Sequence, residues 1–474
     1  MSCCLIMITA IKQHQIEVKK ISQIMKSFFA KGEKVRIYHG STNSTRSLKF
    51  EKDKLVDISQ LNHVIKINTA EKYTLVEPNV PMDELVDETL RYGLVPPVVM
   101  EFPGITVGGG IQGGAGESSS FKYGLFHNTC LEYEIILGNG KLVTASPTKN
   151  RDLFYGTSCS YGSLGIITRV KLRLVPAKNF VHLKYSRVKS FKEAVTEIKK
   201  KIKEPNDFVD GIIFAKDEGV IMSGNFTELN NLPVSTFSKP TDEWFYLHAD
   251  KIAKKFDHYE EIVPTKDYLF RYDRGSFWAG KYAFTLLNIP YFRLIRTLLN
   301  PIFKTRRLFR FLHSTNISQT YFAQDLSLPR ENVLKFLRFI DKTMPIYPLW
   351  LCPLRPDKSV RFSSNYLATN LVINVGTWGQ FIGNYLDFVK INRSVENIVT
   401  QFKGRKVLYA HAYYSRHEFW KIFDHRWYCR LRNKYFGESV FLDIYDKTKV
   451  TEKYHPSLFR GIIKAFFQPR LPIT

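Results

Sequence analysis

The chain has 474 residues and a formal net charge of +25, with 44% hydrophobic, 14% aromatic and 24% charged residues. That length holds two or three packed domains, and a ring-rich mixed composition excludes both a small disulfide scaffold and a disordered chain. Residues 1–178 carry 22 Lys and Arg against 16 Asp and Glu, whereas residues 179–474 carry 47 against 28. The second part is therefore expected to face something anionic. Lipid surfaces and nucleic acid both qualify, but no recognisable nucleic-acid module accompanies the charge, so no specific nucleic acid is expected.

The six cysteines (Cys3, Cys4, Cys130, Cys159, Cys352, Cys429) have no regular spacing and no C-x-x-C pair. This argues against a disulfide framework and against a metal site. The apolar start is short and has no basic stretch before it, which indicates neither a signal peptide nor a spanning anchor. The expected setting is a reducing, cytosol-facing compartment.

From Ile11 to Ala30, apolar residues fall three or four apart with lysines between them, which predicts an amphipathic helix in a segment spanning 1–32. β-branched runs at Val35–Ile37, Lys54–Ile58 and Tyr73–Glu77 read as strands. Pro81 to Tyr92 reads as a helix with Pro81 at its first turn and Gly93 past its end. Residues 103–116 hold seven glycines in fourteen positions and are expected to form neither an ordinary helix nor a strand interior. Strands follow at Glu132–Leu137, Lys141–Thr144 and Ile166–Val175, with Pro176 closing a domain near residue 177. Beyond it, strands (Gly211–Ala215, Val220–Gly224) alternate with helices (Phe191–Ile202, Glu331–Thr343). From Arg274 to Gln324 no acidic residue occurs in 51 positions, while eight Lys and Arg interleave with phenylalanine, tyrosine and tryptophan.

Glycine clusters let backbone N–H groups encircle a phosphate, because no Cβ blocks the approach. Two such loops occur, His39–Arg46 and Pro103–Gly116, and the first adds the hydroxyls of Ser41, Thr42, Ser44 and Thr45, the amide of Asn43 and the cation of Arg46. Neither matches the dinucleotide G-x-G-x-x-G signature or the P-loop.

Four segments in order, Val35–Ser44, Pro103–Gly110, Glu117–Gly124 and Gly162–Ile167, resemble the FAD-binding domain of the vanillyl-alcohol-oxidase (PCMH-type) superfamily. Within it, Glu117-Ser-Ser-Ser, Lys122–Phe126 and Asp152–Tyr155 resemble the delta(24)-sterol reductases, as do Ile346–Pro353, Glu418-Phe-Trp and Ile444–Lys447 in the second part. The resemblance implies an α+β fold: a PCMH-type FAD-binding domain of two α/β subdomains over 33–177, an α+β cap or substrate domain over 178–440, and a return segment over 441–474. It also implies FAD bound by His39, Gly40, Ser41, Thr42, Asn43, Ser44, Pro103, Gly104, Thr106, Val107, Gly108, Gly109, Gly110, Ser118, Ser119, Tyr123, Gly162, Gly165 and Ile166. Many superfamily members attach flavin through a His in the first loop, where this chain has Asn43, so the FAD is expected to be noncovalent.

The implied reaction is reduction of a carbon–carbon double bond in a sterol or isoprenoid side chain, with NADPH or NADH as donor. Glu117 and Lys122 are implied near the flavin, and Tyr445 and Lys447 on the returning segment, with Lys447 as a flavin-facing cation. His411 is a candidate for protonating or positioning substrate, although the residues alone do not identify the proton donor. Sterol reductases of animals and plants begin with a membrane anchor that this sequence lacks. The acid-free aromatic run 274–324 is then expected to dock peripherally on an anionic membrane, on its cytosolic face. Two alternatives stay open: an FAD-dependent oxidase of a sugar lactone or polyol, and an inactive flavin-fold protein that binds lipid or membrane. Oligomeric state is not legible.

Overall fold

A computed structural model describes residues 2–48 and 50–457, with side chains from residue 9 onward in that range. The C-terminal part of the expected return segment, and the side chains of Cys3 and Cys4, lie outside the described residues.

The first helix, Ser2–Lys31, includes the predicted one and buries Val18, Ile21 and Met25. That stripe packs with Val35, Val56, Ile136 and Phe441 in a small core of its own. Strands Arg36–Tyr38 and Leu55–Asp57 pair in parallel. A five-stranded antiparallel sheet then takes the spatial order Val64–Asn68, Tyr73–Val76, Ile166–Arg173, Cys130–Ile136, Leu142–Ala145. Two small layers thus make up the first part of the chain, and helix Met82–Leu90 packs on strand Val64–Asn68 and ties to the glycine segment through Met82 N–H, which donates to Ile105 O at 2.9 Å.

One expectation is corrected here. Residues Val107–Gly113 form a helix despite their glycines. Thr106 caps it by accepting the Gly109 N–H at 3.1 Å, Val107 and Ile111 anchor it in the core, and Gly114 ends it at φ +65°. The conformational cost of glycine is offset by close packing that a side chain would forbid: a Cβ on Gly110 would come within 2.4 Å of Met100 Cε, and one on Gly108 within 2.9 Å of Pro78.

Between Arg173 and Phe180 the chain leaves the first sheet for an eight-stranded antiparallel one, ordered His258–Pro264, Phe180–Val188, Glu218–Thr227, Phe208–Ala215, Leu349–Leu354, Val372–Gln380, Tyr321–Pro329, Arg405–Lys406. Alternation along its strands sorts two faces. Val209, Ile213, Ile221, Leu326, Leu349, Leu351, Ile373 and Val375 point to helices Phe191–Lys201, Val333–Thr343 and Tyr385–Gln401. The opposite set, including Ala323, Asp325, Trp350, Cys352, Asn374 and Trp378, faces the first part of the chain.

The acid-free run becomes three short helices, Ala279–Leu286, Arg293–Leu299 and Thr305–Thr315, beside that face. Helix His425–Lys434 returns to pack on Arg151–Thr157, and Val35 N–H then donates to Val440 O at 2.8 Å. Among the described residues, no helix is long and apolar enough to cross a membrane.

Candidate active site

A cavity of about 470 Å³ lies where the two parts meet. Its first wall is the loop from His39 to Arg46, whose Thr42 Oγ1 accepts the Ser44 N–H at 3.0 Å while Ser44 Oγ donates to Tyr409 O at 2.8 Å. The second is the glycine helix, and the third is the turn Thr157–Gly165. Gln112 Oε1 ties these last two together by accepting the Gly162 N–H at 2.9 Å. Cys159, Tyr161 and Gly162 all have positive φ (59°, 54° and 69°), a strained turn of the kind that collects at binding sites. Lys447 arrives from the returning segment and donates to Gly162 O at 3.1 Å.

Charge is sorted along the cavity. Arg36, His39, Arg46 and Lys447 line one end. Burial, with Arg36 and Arg432 nearby, pulls Lys447 down to about 7, and burial followed by the Lys447 charge pulls His39 down to about 4. The other end is formed by Phe277, Tyr282, Leu312, Trp350, Cys352 and Trp378 from the cap, and the lining carboxyls are Glu101 and Asp325. Trp350, Phe277 and Trp378 form one aromatic cluster, with ring centroids 4.3–6.0 Å apart.

The sequence-predicted residues divide accordingly. His39, Ser41, Thr42, Asn43, Ser44, Gly104, Thr106, Gly108, Gly109, Gly162, Gly165, Ile166 and Lys447 line the cavity. Gly40, Pro103, Val107, Gly110, Ser118, Ser119 and Tyr123 lie behind or beside it: Ser119 Oγ donates to Pro97 O at 2.8 Å, and Val107 and Gly110 are buried.

Glu117 does not line the cavity either. It is buried with Arg271 and Asp210, both 2.8 Å from the same guanidinium nitrogen, in a network that joins the two parts of the chain. Lys122 pairs with Asp207 at 2.9 Å on the surface. Tyr445 donates to Tyr414 O at 3.1 Å beneath the Arg416 guanidinium. His411 is fully buried between Thr45 (3.2 Å) and Ser318 (3.4 Å), and burial first, then Lys406 and Arg46, hold it well below its ordinary pKa. A neutral imidazole closed off from the cavity is suited to bracing the first loop, since a residue must reach the reacting atoms to transfer a proton to them.

Glu101 and Asp325 escape a reading by motif. Glu101 stands just before the glycine segment and Asp325 just after the acid-free run, and only the sheet register and the glycine helix bring both to one cavity.

The cationic end fits a dinucleotide. Among the described residues, the buried polar atoms His39 Nδ1, Arg46 Nε and Tyr161 OH have no hydrogen-bond partner there. A Cβ on Gly109 would meet only Thr106 Oγ1 at 3.1 Å and Ile105, so bare backbone faces open space. Donors without partners, cations and an open glycine backbone suit a pyrophosphate.

Residues 17–146 match the family model described as "FAD binding domain", which makes the chain a flavoprotein of that domain class. Over 456 residues it is 30% identical to the delta(24)-sterol reductase of Mus musculus, covering 93% of this chain and 87% of that protein. The Homo sapiens delta(24)-sterol reductase is 29% identical with the same coverage, and that of Arabidopsis thaliana is 28% identical over 84% of this chain and 77% of its own length. The chain belongs to the delta(24)-sterol reductase family.

Proposed function

We propose that this chain is an FAD-dependent oxidoreductase that reduces a carbon–carbon double bond in a sterol or isoprenoid side chain, using NADPH or NADH. The carrying observation is that one cavity joins a cationic, glycine-walled end to an aromatic end. When bound, FAD supplies the two-electron chemistry, taking electrons from a nicotinamide and releasing them as hydride.

The chain's own residues do the rest. The His39–Arg46 loop and the Gly104–Gly109 backbone hold the phosphates, and Lys447 places positive charge beside the Gly162 turn. Asn43 offers no ring nitrogen for a covalent link, which supports noncovalent binding. Phe277, Trp350 and Trp378 exclude water and bind an apolar chain. Two carboxyls at that end are placed to manage a proton. A polar sugar lactone would leave these rings without a partner, which favours the sterol reading over an oxidase.

The substrate is water-insoluble, and the exposed Leu286, Phe292, Leu294 and Leu298 adjoin the helices that line the cavity. We infer a peripheral approach to an anionic membrane, on its cytosolic face. The test of function is anaerobic spectroscopy of the purified holoprotein. NADPH is expected to bleach the flavin absorbance, and a delta(24)-sterol to restore it without oxygen. Acid precipitation is expected to leave the flavin in the supernatant. Recovery only with oxygen, and indifference to the sterol, would overturn the reductase reading.

A further inference from the structure

Glu101 and Asp325 have different surroundings. Tyr409 OH donates to Asp325 Oδ2 at 2.7 Å, Asn374 Nδ2 donates to Asp325 Oδ1 at 2.7 Å, and Trp378 Nε1 donates to Tyr409 OH at 3.2 Å. The site is built by register: Asp325 pairs with Gly376, and Gly376 pairs in turn with Trp350. A Cβ at Gly376 would press on Trp378 at 2.8 Å and on Asp325 Oδ1 at 3.1 Å. Both Asp325 oxygens therefore accept hydrogen bonds, which favours the carboxylate. Among the described residues no side chain donates to Glu101, and only its own backbone N–H acts on its carboxyl as a donor.

We propose that Glu101 is the acid that protonates the substrate's double bond, and that Asp325, held ionised by Tyr409 and Asn374, is the positioning residue that keeps the proton on Glu101. Two carboxyls facing one cavity repel each other when both are ionised, and the proton stays on the one with fewer donors. The electrostatic surroundings agree. Burial first, then the charges of Glu117 and Asp325 against a counteracting Arg271, push Glu101 up to about 8, while burial, opposed by its two hydrogen bonds, takes Asp325 to about 6.

In the reaction the Glu101 O–H bond breaks and a C–H bond forms from the alkene π pair. The other alkene carbon receives the hydride, with its electrons drawn from the nicotinamide. Glu101 is left as a carboxylate and regains its proton from solvent. An isolated alkene accepts hydride poorly, so proton transfer must accompany it.

This inference rests on the reductase reading, and the experiment separates the two. Difference infrared spectroscopy of the holoprotein at pH 7, without substrate, is expected to show a protonated carboxyl band that is absent in Glu101→Gln. In Asp325→Asn the band should persist but titrate away at lower pH than in wild type. With wild type active on a delta(24)-sterol, Glu101→Gln is expected to lose about 10²–10⁴-fold in turnover at unchanged flavin content and sterol affinity, and Glu101→Asp to recover part of it. A wild type inactive on sterols sinks the reductase reading and leaves the band to report on Glu101 alone. An active wild type whose Glu101→Gln variant keeps its rate, or whose band survives that substitution, overturns the assignment.

Discussion

A Cβ at Gly109 has only Thr106 Oγ1 within 3.1 Å and otherwise enters the cavity, whereas one at the adjacent Gly108 runs into Pro78 Cβ at 2.9 Å and its carbonyl at 3.0 Å. Both glycines line the cavity, but only at Gly108 does the fold itself also forbid a side chain. Gly109→Val is expected to fold with wild-type stability and to lose FAD, because the branched side chain fills the space the phosphates need. Gly108→Val is expected to be destabilised by about 1–3 kcal/mol through overpacking. Flavin absorbance after gel filtration, read beside a urea midpoint, checks both; full flavin in folded Gly109→Val would remove this backbone from the cofactor site. At this scale the sequence was legible where chemistry and glycine coincide, since the two loops were recognisable from composition. It was illegible for Glu101, in a bend before the glycine helix, and for Asp325, in a strand, because a lone carboxyl looks the same whether it meets solvent or a cavity. Asp325 gains its meaning only from Asn374 and Tyr409, 49 and 84 residues away. The reverse holds for His411, Lys122 and Glu117, which look chemical in the text and sit in braces and ion pairs.

The first helix shows what periodicity conveys and what it leaves out. Its spacing identified the apolar stripe, but not the pairing that His14 makes across the interface. His14 Nδ1 lies 2.7 Å from Glu77 Oε1 and Nε2 lies 2.9 Å from Glu134 Oε1, so a protonated ring bridges two carboxylates. Desolvation opposes the charge, yet the hydrogen bonds and charges of Glu134 and Glu77 prevail and raise His14 to about 9. Because the folded-state pKa lies above the ordinary 6.5, the stabilisation is fully present below pH 6.5 and is lost as pH rises through about 9. His14→Ala is expected to cost about 1.5–3 kcal/mol at pH 6, the scale of hydrogen bonds to charged groups. The difference from wild type should shrink between pH 7 and 10. Parallel urea midpoints across that range, with no convergence, would show that the bridge does not titrate there. The glycine helix teaches the complementary lesson. Propensity argued against it, and tertiary packing of Val107 and Ile111 with a Thr106 cap overrode propensity.

For the molecule as a whole, the charge imbalance read from composition resolves into two populations. Within the acid-free run, Arg274 is buried among Asn300 Oδ1 and the carbonyls of Phe237, Pro240 and Asp242, and Phe277, Trp278, Phe284 and Phe303 belong to the core. Arg306 also has internal work, pairing with Asp83 at 2.7 Å beside Gly104. What remains outward in this run is apolar and basic: Phe292, Leu294 and Leu298 are 49%, 63% and 66% exposed, and Arg293, Lys304, Arg307 and Arg310 are exposed as well. Helix Thr305–Thr315 joins the exposed cations to the cavity, since Leu308, Phe309, Phe311 and Leu312 line the cavity while Arg307 and Arg310 are exposed. Each cation near an anionic surface contributes about 1 kcal/mol, so replacing Arg293, Arg307 and Arg310 by Gln is expected to weaken partitioning onto phosphatidylserine vesicles by up to about 10²-fold in low salt. Leu294→Ser with Leu298→Ser should weaken it further by removing apolar burial, and added salt should act on the wild type more than on the triple variant. Arg306 is left in place because its removal would disturb the glycine cradle. Flotation with wild-type binding, and with the variants remaining folded and yellow but in the pellet, supports docking. A wild type that stays in the pellet at low salt means that this run does not meet a membrane, and that substrate must reach the aromatic end by another route.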